Sequence, residues 1–246
     1  PVEQSLGLTR AQSSLAFSLA LLTEGLVAWP VGRWIDRGHE RAVMTGGSLL
    51  LVLGLLLHSV ASGLWSFYAA WTVLGAGLAG TLYNPAFAVV TRRFPLDFRR
   101  AIITLTFLGG LASTVFIPLV ALGVAHAGWR ATVAGLAALH LLVCVPLHFH
   151  WLRGAPPAAL AAAGRDGAGP DPGLRAHLRG APFLLIGVFV VLLMAVTAAL
   201  PPHMVSLLRG AGLAESWAIA VPASIGAVQV LGRALLYVCG ITPYDA

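Results

Sequence analysis

Glu24 sits in the middle of a long apolar run, residues 12 to 31, beside the small residues Thr23 and Gly25. An ionisable side chain inside such a run is costly and marks either a pathway or a pair. A carboxyl group there can carry a proton or help bind a solute. It can equally be paired to a basic group on another helix or reach out to water. Arg233 lies towards the end of another run, 213 to 238. Its guanidinium could take a substrate carboxylate in a bidentate grip, or hold the rim of the fold. Other polar groups interrupt the apolar runs. His203 follows Pro201-Pro202, which are expected to end a helix there. Tyr83 and Asn84 precede Pro85 within residues 65 to 90, and Gln229 shares a run with Arg233. Each could line a polar path. Catalysis is a weaker reading. There is no His-Glu-x-x-His zinc pattern and no Gly-x-Ser-x-Gly nucleophile pattern. Ser113 and Thr114 have no base nearby in sequence. Cys144 and Cys239 lie in apolar runs without ligand spacing, as packing residues do. No enzyme activity, metal or cofactor is expected.

The elements that must position these groups follow from composition. The chain has 246 residues, of which 58% are hydrophobic and 10% charged, with a mean hydropathy of +0.87. Soluble domains carry about 25% charged residues. This is the composition of an all-α polytopic membrane protein. A bilayer core takes about 20 apolar residues as a helix. Seven runs qualify, at 12–31, 43–62, 65–90, 101–125, 129–151, 181–203 and 213–238. They show no alternation of the kind a barrel needs. Three of the gaps, 32–42, 91–100 and 152–180, together hold eleven Arg; the opposite gaps, with Arg130 just at a helix start, hold three. The Arg-rich side is expected in the cytoplasm, so residue 1 is expected outside and the last residue inside. The basic balance, with a pI near 10.4, does not imply nucleic acid, because the Arg residues fall in short gaps between spans. The partners implied are the lipid bilayer and a small molecule, with proton coupling one option. Oligomeric state is not legible. There is no Lys, which excludes a retinal Schiff base.

The densest charge in the first ninety residues is Gly32-Arg33-Trp34-Ile35-Asp36-Arg37-Gly38-His39-Glu40-Arg41. This stretch resembles the signature loop of the major facilitator superfamily, Gly-x-x-x-Asp-Arg-x-Gly-Arg-Arg, which joins the second and third helices on the cytoplasmic side. Gly32, Asp36, Arg37 and Arg41 match in register. Gly38 comes one residue early, and His39-Glu40 stand where the pattern has Gly-Arg. "LGAGLAGTLYNPAFAVVTRRFPLDFRR" is similar to the family's fourth helix and its basic loop. "GWRATVAGLAALHLL" and "PPHMVSLLRGAGLAESWA" are similar to the sixth helix start and the seventh-to-eighth hairpin. A loose internal repeat agrees: Gly7-Leu8 precedes Gly32-Arg33 as Gly212-Leu213 precedes Gly232-Arg233. Such transporters are built from two related halves.

The resemblance implies a two-bundle fold, here truncated to helices two to eight of twelve. On that plan residues 1–151 belong to an N-terminal bundle whose first helix precedes residue 1. Residues 152–180, rich in Pro, Gly and Ala, form a cytoplasmic linker, and 181–246 begin a C-terminal bundle. The tail "GITPYDA" does not continue the pattern. The function implied is secondary active transport by alternating access, in a bacterial inner membrane. The substrate is a small solute, and the "GWR" segment is similar to that of monocarboxylate and oxalate carriers. The alternative is a seven-helix receptor or another non-transporting membrane protein. On the transporter reading Gly32, Arg33, Asp36, Arg37, Gly38 and Arg41 would form a conformational latch. In it Gly32 would let helices approach closely, and Asp36 would pair with Arg or sit at a helix N-terminus. One departure counts against symport. The family's fourth helix often carries an Arg at the position of Trp71. His58 and His140 are expected in structural roles, and His148 and His150 at a cytoplasmic helix end beside Trp151.

Overall fold

The chain enters its first long helix through a reciprocal cap. Thr9 Oγ1 accepts a hydrogen bond from the Gln12 amide at 3.3 Å, and the Gln12 side chain accepts one from the Thr9 amide at 2.8 Å. Both amides are orphan donors at a helix start. The structure is a computed structural model that describes residues 1–154 and 180–238. A single turn, α1 (Val2–Leu6), leads into α2 (Arg10–Asp36) and α3 (Glu40–Ser59). Next come α4 (Leu64–Ala79), α5 (Tyr83–Arg93), α6 (Phe98–Gly110) and α7 (Ala112–Leu139). A π turn at His140–Cys144 joins α7 to α8 (Val145–Trp151). The last described helices are α9 (Ala181–Gly210) and α10 (Glu215–Val238). No strand occurs among the described residues.

All seven apolar runs fall on helices. Among the described residues, four stretches are long and apolar enough to cross a membrane: 10–36, 40–59, 64–93 and 100–151. The last of these is 52 residues long, enough for two crossings at about 20 residues each. It bends at Gly128, whose backbone (φ 77, ψ 164) is not helical. That bend coincides with the gap expected between the fourth and fifth runs. The third run is also broken, as Tyr83-Asn84-Pro85 suggests. Helix α4 ends at Ala79, and α5 restarts after an extended Leu82. Pro85 is the third residue of α5, where its missing amide has no helical partner to lose.

The expectation at Pro201-Pro202 is corrected. Helix α9 continues through both prolines to Gly210 instead of ending at His203. Each proline removes an amide and crowds a carbonyl four residues back, at Thr197 and Ala198. Membrane helices tolerate this when neighbouring groups take over the freed backbone.

Contacts divide the chain into two compact units: residues 1–104 with 122–164, and residues 105–121 with 165–246. The linker expected at 152–180 lies largely outside the described residues, as does Cys239. In the first unit, α4 packs against both α2 and α3 through small residues. A Cβ on Gly75 of α4 would stand 2.2 Å from the Ala20 carbonyl oxygen of α2. Lipid-embedded helices have little hydrophobic drive to associate, so close backbone approach supplies the dispersion contact instead. At the end of this unit away from the charged loop, His58 is 9% exposed. It lies 5.2 Å from the Phe67 ring and 5.7 Å from each of Trp71 and Trp129. Trp71, standing where the family often has Arg, thus belongs to an aromatic cluster. In the second unit, Thr114 Oγ1 donates to the Ala223 carbonyl at 2.9 Å. Gly226 sits there against the Gly110 backbone.

Candidate functional site

The charged loop between α2 and α3 is a short, specified turn. Helix α2 ends at Asp36, and Gly38 takes a left-handed backbone (φ 85). The Gly38 amide donates to the Ile35 carbonyl at 2.8 Å and the His39 amide to the Trp34 carbonyl at 3.0 Å. These two bonds are the Schellman termination, which wants glycine at the left-handed position. Gly38 therefore sits one residue early relative to the family pattern because it terminates this helix. Gly38→Ala should cost about 1–2 kcal/mol, measured as a lower melting temperature of the detergent-purified chain. Gly32 is different. A Cβ placed on it would meet no atom within 4 Å, so no helix approaches it closely among the described residues.

A left-handed glycine followed by the same five-residue-back amide bond recurs at the two Gly-Leu pairs of the internal repeat. Gly7 (φ 63) precedes the Leu8 amide bond to the Glu3 carbonyl, at 2.9 Å. Gly212 (φ 82) precedes the Leu213 amide bond to the Leu208 carbonyl, at 3.1 Å. In each case the next long helix starts three residues after the glycine, at Arg10 and Glu215.

Beneath the loop, Ile35, Val43, Met44 and Val89 form a buried apolar cluster, with Leu152 packed against it. This brings α2, α3, α5 and the residue after α8 to one point. Glu40, the first residue of α3, is fully buried beside it. Its carboxylate sits in the first turn of a helix, where the dipole favours negative charge. It accepts a hydrogen bond from Arg93 Nε and lies 3.5 Å from Arg92 Nε. Arg92 also donates to the Asp36 carbonyl at 2.8 Å. Arg93 reaches the Trp151 and Arg153 carbonyls, both at 3.3 Å. Arg41 donates to the Phe149 carbonyl at 2.8 Å and covers the Phe149 ring at 3.9 Å. The arginines thus satisfy carbonyls at the end of α8 that the helix itself leaves unpaired. One buried carboxylate and three arginines tie the loop to the ends of α5 and α8.

Of the expected latch residues, Arg41 belongs to this network and Gly38 shapes its turn. Asp36 takes part through its backbone only. Its side chain is exposed and has no ion pair among the described residues. Arg33 and Arg37 are exposed, with the Arg33 guanidinium 4.8 Å from the Trp29 ring centre. Glu40, Arg92 and Arg93 were not singled out as site residues. A signal was present, since Glu40 is an acid at a position where the pattern is basic, and an Arg pair closes the third apolar run.

The expected path residues are less connected. Glu24 is half-buried on α2. Tyr83 and Asn84 are exposed at the start of α5, with the Tyr83 ring 5.4 Å from Phe87. No hydrogen bond or ion pair among the described residues joins these three. In the second unit, His203 is half-buried on α9 and accepts from Ser206 Oγ through its carbonyl at 2.8 Å. Gln229 is exposed on α10. Arg233 lies on α10, but its side chain is outside the described residues. No group of three or more metal-ligating side chains occurs among the described residues.

Long helices that turn Leu, Val and Phe outward, with charges gathered at their ends, define a polytopic integral membrane protein. The family model described as Major Facilitator Superfamily matches residues 1–239. The chain belongs to that superfamily. It is 35% identical over 190 residues to monocarboxylate transporter 13 of Bos taurus, covering 74% of this chain and 42% of that protein. It is 27% identical over 163 residues to the MFS-type transporter YcxA of Bacillus subtilis, covering 64% and 39%. It is 33% identical over 125 residues to the multidrug resistance protein MdtL of Klebsiella pneumoniae, covering 51% and 31%. The chain thus spans about two fifths of the length of the first two of these relatives.

Proposed function

We propose that the chain works within a secondary transporter that moves a small solute by alternating access, in a cytoplasmic membrane of bacterial type. The Arg-rich gaps face the cytoplasm, so residue 1 lies outside and residue 246 inside. Family membership supports transport. The observation that carries the latch is the division of labour in the loop. Glu40 fixes the loop to its own bundle, while the Asp36 carboxylate stays exposed and is available to a second element. A carboxylate held out in this way can sit at a helix N-terminus in one state and leave it in the other.

The cargo proposed is a small organic anion. Support comes from the name of the monocarboxylate relative and from Arg233, whose guanidinium suits a carboxylate. Glu24 is the proposed proton-handling group on α2. The test is uptake of labelled small monocarboxylates into proteoliposomes holding the full-length protein. Wild type should accumulate at least one of them, and Asp36→Asn should cut the rate more than tenfold while inserting normally. Equal uptake by the variant would remove the latch. No flux of any tested anion would remove the cargo class.

A further inference from the structure

The loop network leaves two of its basic groups without an acid. Glu40 is occupied by Arg92 and Arg93. Arg41 and Arg153 have no acidic partner among the described residues. Both guanidinium groups gather on one ring: Arg41 lies 3.9 Å from the Phe149 centre and Arg153 5.7 Å from it. Arg153 Nη2 also stands 3.1 Å from His150 Nδ1. Two cations gathered on one ring, with no acidic partner among the described residues, present a local positive field to any anion that can reach them.

His150, which Arg153 touches, also lines an apolar groove of about 450 Å³. Leu142, Val143, Pro146, Leu147, His150 and Trp151 line it. Their spacing is that of one helix face over two and a half turns, about 13 Å of axis. The groove starts within the π turn at His140–Cys144 and runs along α8. A π turn widens the helix by one residue and shifts the ridges beyond it. Leu142 and Trp151 are about three-quarters exposed, so no other described part of the chain covers this face. The last lining residue, Trp151, stands two positions before Arg153, so the apolar face ends at a basic group with no acidic partner among the described residues.

We propose that this face is a binding site for an anionic phospholipid. An acyl chain lies in the groove along α8. The headgroup phosphate meets Arg153 and Arg41, and the Trp151 indole marks the headgroup level. Basic clusters on the cytoplasmic side of membrane helices recognise anionic headgroups in this way. The proposal is independent of the transport reading, since it needs only the groove and the two cations.

The test uses the purified chain in detergent, given equimolar dioleoyl-phosphatidylglycerol and dioleoyl-phosphatidylcholine. Retained lipid is counted by native mass spectrometry. Wild type should retain phosphatidylglycerol in preference to phosphatidylcholine. Arg153→Gln should lower that preference about fivefold, and Arg153→Lys should keep it. Arg10→Gln, at the far end of α2, should leave it unchanged. Equal retention of the two lipids by wild type would overturn the proposal. An Arg153→Gln variant that melts like wild type and keeps the full preference would overturn it too.

Discussion

Glu40→Gln is expected to lower the stability of the chain by about 3–5 kcal/mol. Glu40 is completely buried, and the side chains of Arg92 and Arg93 are 10% and 19% exposed. The substitution keeps the shape and removes the charge. Two guanidinium groups would then stand in a low-dielectric pocket against a neutral amide. Breaking one side of a buried pair costs more than the pair itself contributes, because the remaining charge is left uncompensated. A loss of that size lowers a melting temperature by about 6–20 °C for a chain of this length. The paired variant separates the explanations. Glu40→Gln with Arg93→Gln should recover part of the loss, since it also removes one of the two guanidinium charges. Thermal unfolding of the four proteins in detergent gives the coupling. A loss under about 1 kcal/mol for Glu40→Gln would mean that the carboxylate does not organise the loop.

Gly75→Ala should be the second large effect, and Gly32→Ala its opposite. The new methyl at Gly75 would fall 2.2 Å from the Ala20 oxygen and 2.8 Å from Ala20 Cα. Those are backbone atoms, which cannot rotate away, so α2 and α4 must separate. Overpacking of this kind costs about 1–3 kcal/mol and sometimes more, and the upper end is expected here. Gly32 is also helical, but its methyl would meet nothing within 4 Å. Glycine inside a helix is less favourable than alanine by about 0.5–1 kcal/mol, so Gly32→Ala should stabilise slightly. Parallel melting curves decide both. If Gly32→Ala destabilised as much as Gly75→Ala, the roles given to the two glycines would be exchanged.

The helices were legible because an apolar run long enough for a bilayer has few alternatives to helix. Their ends were less so. The first run stops being apolar at residue 31, yet α2 continues to Asp36. Backbone hydrogen bonding carries a helix into the polar zone until a glycine such as Gly38 can end it. Pro201-Pro202 misled for a related reason. The local rule against proline assumes a helix in water, and a membrane helix tolerates the gap. The loop's family pattern draws attention to the loop, and within it to Asp36 and Gly32. The buried centre is Glu40, and its partners stand 52 and 53 positions later in the chain. Pairing across such a distance is set by the packing of α3 against α5, which no local pattern records. The aromatic setting of His58 and Trp71 is a property of α2, α3, α4 and α7 together, and was hidden for the same reason.

The claim that ties the loop to function is that it is covered in one state and free in the other. The direct measurement is the alkylation rate of a single thiol at His39→Cys in an otherwise cysteine-free full-length protein. His39 is exposed in the turn and gives only its backbone to the network. The account predicts that a saturating transported anion changes the rate several-fold, and that Asp36→Asn abolishes the change. An alkylation rate unmoved by the anion would contradict it.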